Sequence, residues 1–95
     1  MKNATIDHEL DKIEVKGWIE MPNRPSFNAR MITKLIEICS PFNALSLRRV
    51  QQTAKYLTDL GIEEFQNPTM CGRTPYYSPL ATEMILTELK FKVKK

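Results

Sequence analysis

Six side chains in this 95-residue chain have the types and spacing to meet a polyanion. Five lie in the segment SLRRVQQTAKYLTDLG, Ser46 to Gly61: Arg48, Arg49, Gln52, Lys55 and Tyr56. The sixth is Arg73, in CGRTP. At 100° per residue the five share one side of a helix, and Leu47, Val50, Ala54, Leu57 and Leu60 take the other. Arg donates two parallel hydrogen bonds to a guanine edge or a phosphate, and Gln pairs with adenine. Each good base pairing discriminates by roughly 1–3 kcal/mol. Ser46 is a capping residue and Gly61 a left-handed stop. With Ser46 as cap, Arg48 and Arg49 are the second and third helical residues, where the helix dipole disfavours cations by about 0.3–1 kcal/mol each. Glu at position 49 would complete a capping box with Ser46. The chain has Arg there, and a bound anion would resolve the conflict. Two other readings stay open: a helix that starts at Asn43 moves the arginines inward, and an ordinary solvated face carries the same residue types.

Other chemistries find little to work with. The cysteines, Cys39 and Cys71, lie 32 positions apart, with no Cys-x-x-Cys pair and a single histidine, His8. A tetrahedral metal site would need carboxylates as well, so no metal is expected. Cys39 falls in an apolar helical pattern and reads as a buried thiol; Cys71 precedes Gly72 in a turn and reads as exposed. There is no glycine-rich phosphate loop, nucleophile motif or acid–base pair, so neither an enzyme nor a cofactor is expected. His8, near a terminus, reads as solvated.

The elements that must position the six side chains follow from periodicity. TIDHELD, residues 5–11, reads as a short helical turn. KIEVKGWIEM alternates as a strand, with Ile13, Val15, Gly17, Ile19 and Met21 on one face and Trp18 on the other. A lone tryptophan there is expected to be covered by a neighbouring element. PNRP ends the strand. Ser26 or Asn28 caps a helix bearing Ile32, Leu35, Ile36 and Cys39, with Met31 and Ile38 widening the stripe, so that helix is expected to be buried on most sides. Pro41 stops it. After the Ser46 helix, IEEF reads as a short strand, QNPTMCGR as a turn and TPYYS as a second strand. One tyrosine of Tyr76 and Tyr77 is expected in the core. Ser78-Pro79 opens a last helix with an arc through Leu80, Met84, Ile85 and Leu89. The tail KFKVKK either extends that helix or forms a lysine-guarded edge strand.

Length allows one domain, 1–95, a small α+β fold divided as 1–25 (strand-containing), 26–60 (helix pair), 61–78 (hairpin) and 79–95 (helix and basic tail). No apolar run approaches the ~20 residues of a membrane span, and MKNATIDHEL lacks the apolar core of a secretion signal, so a cytoplasmic protein without membrane contact is expected. Net charge is only +3, but it is unevenly spread. Residues 21–58 hold six Lys or Arg against Glu37 alone, while residues 1–20 hold three lysines against five acids. A basic block centred on the two clearest helices points to a polyanion.

Helix, turn, polar-faced helix closing in YLTDLGI, then GRTPYYSPLATEM: over about residues 29–89 this order resembles the winged helix-turn-helix DNA-binding proteins. The resemblance implies a winged-helix-like fold, double-stranded DNA as partner and a role in transcription regulation, with a homodimer in view because a single recognition helix rarely binds usefully. It gives Arg73 the wing tip, which grips a phosphate or enters the minor groove. The chain departs from the pattern in a long inter-helix turn, SPFNALS, in Glu63 and Glu64 on the expected first wing strand, and in a strand where a first helix is usual. The rival expectation is a protein-binding adaptor or inhibitor module, which five methionines, and Trp18 if it is exposed, would suit. Salt separates the two, since phosphate contacts weaken steeply as it rises.

Overall fold

Three side-chain caps set the helix starts. A computed structural model of the chain describes residues 15–94. Asn28, Ser46 and Ser78 are all extended, and each side-chain oxygen accepts from the N–H three residues on: Met31 at 2.8 Å, Arg49 at 3.2 Å and Ala81 at 3.1 Å. They open α1 (Ala29–Cys39), α2 (Leu47–Asp59) and α3 (Pro79–Glu88). Each such cap contributes about 0.5–2 kcal/mol. Asn28, not Ser26, is thus the first cap. The alternative start of α2 at Asn43 is ruled out, because Pro41–Asn43 form a separate 3-10 turn. Gly61, at φ +82°, ends α2 in the conformation that glycine adopts without penalty.

Four short strands complete an α+β domain: β1 (Gly17–Glu20), β2 (Thr69–Cys71), β3 (Thr74–Tyr76) and β4 (Phe91–Lys94). β2 and β3 form an antiparallel hairpin, and β1 pairs in parallel with β4, Gly17 opposite Phe91 and Glu20 opposite Lys94. The tail is therefore a strand; Lys90, at φ 74°, turns the chain out of α3 into it. Phe27 and Tyr77 exchange backbone hydrogen bonds of 2.8 and 2.7 Å, which fasten the hairpin to the start of α1. α2 lies between α1 and α3, while β1 packs on α1 and β4 on α3. Ile19, Phe27, Ile32, Ile36, Val50, Leu57, Phe65, Ile85, Leu86 and Phe91 fill one core. Three helices with a hairpin after the second are compatible with a winged-helix-like arrangement.

Several local expectations are corrected. IEEF is not a strand: Glu63–Phe65 is a 3-10 turn that buries Phe65 against Tyr77, ring centroids 5.6 Å apart, and leaves both glutamates in solvent. Gln66 holds this turn to the end of α2, donating to the Thr58 and Ile62 carbonyls at 3.0 and 3.1 Å. The hairpin is consequently shorter than expected and begins in the stretch read as a turn. α1 is not buried on most sides, since Ile38 is 68% exposed; Leu60 and Leu80 are also exposed. Trp18 is not covered by an element but stands 54% exposed, with the Lys92 ammonium 5.8 Å from its ring centroid. Cys39 is only half-buried, Cys71 is exposed, and Tyr77 is the tyrosine in the core. The expected turn at residues 5–11, His8, the strand's Ile13 and Glu14, and Lys95 lie outside the described residues.

Candidate nucleic-acid interface

α2 is amphipathic because its apolar residues recur at helical spacing, and burial follows the pattern: Val50, Thr53, Ala54 and Leu57 face α1 and α3. The outward side carries Arg48, Arg49, Gln51, Gln52, Lys55 and Tyr56, all exposed. With Ser46 as cap, Arg48 and Arg49 occupy the second and third helical positions, and no acidic residue lies in the first turn. Among the described residues neither arginine makes an ion pair. The unfavourable dipole interaction, about 0.3–1 kcal/mol for each cation, is therefore left uncompensated from within this part of the chain. Lys55 differs: its ammonium reaches Asp59 at 3.2 Å, one turn on. Both groups are exposed, so a pair of this kind is worth only about 0.3–0.5 kcal/mol and opens readily to a stronger anion.

The hairpin turns through Gly72 and Arg73. Gly72 sits at φ +65°, the value a two-residue turn with a positive first position demands, and Arg73 projects exposed at the tip. Burial in the core anchors the return strand at Tyr77 and pushes its phenol above the ordinary 10.0. A cleft of about 410 Å³ opens between hairpin, α2 and the start of α1. Arg73 and Thr74 line it from the hairpin, Leu47, Gln51 and Lys55 from α2, and Asn28 and Arg30 from α1. Three cations thus border one concave surface.

No family model, curated protein or solved structure matches this chain. The site stands on its geometry alone. That geometry divides the six expected residues: Lys55 and Arg73 meet at the cleft, whereas Arg48, Arg49, Gln52 and Tyr56 lie on α2 outside its lining. Arg30 and Gln51 were not among the expected residues. Gln51 was legible as the middle of the row Leu47, Gln51, Lys55, spaced by four. Arg30 was legible as a cation in the second position after the Asn28 cap, the same unfavourable placement as Arg48. Glu63 and Glu64 lie beyond the C-terminal end of α2, not on a wing strand, so the expected acidic departure from the wing is removed. Among the described residues no three His, Cys, Asp or Glu side chains come together to hold a metal, and no helix is long and apolar enough to cross a membrane.

Proposed function

We propose that this protein binds double-stranded DNA as a small regulator of winged helix-turn-helix type, presenting α2 to the major groove and the β2–β3 turn to the neighbouring backbone. The observation that carries this reading is the pair Arg48 and Arg49, exposed and unpaired among the described residues at the positive end of α2. Phosphate oxygens accept from both guanidinium groups and remove the dipole conflict at once. Gln52, one turn on from Arg48, is placed for a base edge, with Tyr56 beyond it. Arg73, Lys55 and Arg30 border the cleft in which a backbone phosphate is held. The exposed lysines of β4 add nonspecific attraction.

Duplex binding measured across a range of salt tests the reading. Four to five contacted phosphates give a slope of log affinity on log salt of about −4. Arg48→Ala/Arg49→Ala is expected to weaken binding to every duplex and to reduce that slope by about 2. An unchanged slope and affinity in the double variant removes the role assigned to α2.

A further inference from the structure

α1 carries a second apolar stripe that the fold covers only in part. Ile32 and Ile36 are fully buried, but Met31, Leu35 and Ile38 run beside them at the i, i+4, i+7 spacing, and Ile38 is largely in solvent. Across from this stripe the chain between β1 and α1 brings Pro22, Arg24 and Phe27, so that loop and helix enclose a groove of about 440 Å³ with an almost wholly apolar lining. Cations stand on both banks: Arg24 on the loop, Arg30 and Lys34 on the helix. The acid beside them, Glu37, is already held by Lys34 at 3.5 Å. Among the described residues Arg24 and Arg30 make no ion pair.

Spacing and charge together select the occupant. Alternating steps of four and three residues are what one helix offers another along an apolar seam. A second copy of α1 is disfavoured, because it would bring two more cations and only one acid to banks that are already positive. Nucleic acid would leave the apolar floor facing phosphate. We infer that this groove docks an acidic amphipathic helix of a partner protein, whose apolar residues enter between loop and helix and whose carboxylates meet Arg24 and Lys34. The inference does not depend on α2 binding DNA.

The full chain is titrated, by fluorescence anisotropy, into a labelled synthetic peptide of about three heptads with Leu at a and d and Glu at e and g, and into a control with Lys at e and g. The Glu peptide is expected to bind with Kd near 1–100 μM, about −8 to −5.5 kcal/mol, and the Lys peptide at least about tenfold more weakly. Ile38→Asp is expected to weaken the Glu peptide about tenfold or more with an unchanged melting temperature, since its side chain is already exposed. Arg24→Glu/Lys34→Glu is expected to reverse the preference between the peptides, a change that loss of folding cannot produce. Equal binding of both peptides, full binding by Ile38→Asp, or no binding below about 1 mM overturns the proposal. In that last case sedimentation of the chain alone tests for a second copy, which appears as a dimer that Ile38→Asp dissociates.

Discussion

Tyr77 ties the hairpin to the core twice, through its ring against Phe65 and through its backbone exchange with Phe27. Burial disfavours the phenolate and raises the pKa of the folded form above the ordinary 10.0. The unfolded chain therefore releases this proton first as pH rises. Below about pH 10 both states keep it and the group adds no pH dependence; above that value the folded state binds more protons, and stability falls. Tyr77→Phe keeps the ring and removes the titration. Its urea midpoint is expected to match the parent's at pH 7 and to fall less steeply above about pH 10. Identical alkaline profiles would mean that Tyr77 ionises in the folded protein as readily as in water.

α2 shows how an element can be legible while its surroundings are not. Ser46, the apolar spacing and Gly61 mark its limits from local chemistry alone, and the same logic finds α1 and α3 through Asn28 and Ser78-Pro79. What lies across from a stripe is not a local property: Leu35 and Ile38 are both apolar on α1, yet only the arrival of distant chain decides that the second stays in solvent. The cleft beside α2 joins Arg30 to Arg73, residues 43 positions apart, so periodicity pointed to its Lys55 wall and missed Gln51 and Arg30. IEEF fails for another reason. Four residues are too few to tell alternation from a 3-10 turn, and one buried phenylalanine satisfies either. The placement of Arg49 can be tested within the element. Arg49→Glu completes the capping box with Ser46 and turns an unfavourable dipole interaction into a favourable one, a gain of about 0.5–1.5 kcal/mol. In a domain of this size that raises the melting temperature by roughly 4–8 °C per kcal/mol. The same substitution is expected to weaken duplex binding more than Arg49→Ala does. A lower melting temperature would show that Arg49 is held by the folded chain itself.

The parallel pairing of β1 with β4 brings together strands from opposite ends of the described chain, and no hairpin or short loop enforces it. Ile19 on β1 and Phe91 on β4 are both fully buried, and both belong to the same core as Ile36, Val50 and Ile85. The closing pair is therefore not an appendage: its side chains pack where α1, α2 and α3 pack. Gly17 lets β1 lie close against Ser40 at the end of α1, since a Cβ there would meet the Ser40 hydroxyl oxygen at 2.6 Å. Phe91→Ala leaves a cavity and is expected to cost about 3–5 kcal/mol, a large share of the 5–15 kcal/mol that holds a typical domain together. Lys92→Ala, on the outward face of the same strand, loses only the contact with Trp18, about 0.5–1 kcal/mol. Trp18 is the single tryptophan of the chain and sits on β1, so its fluorescence reports the closing pair while far-UV circular dichroism reports mainly the helices. Shared burial predicts that the two signals follow one urea transition in the parent and shift together in Phe91→Ala. If the fluorescence change instead comes first at lower urea, with the helices unaffected, the β1–β4 pair is a separate unit and the core stops at α3.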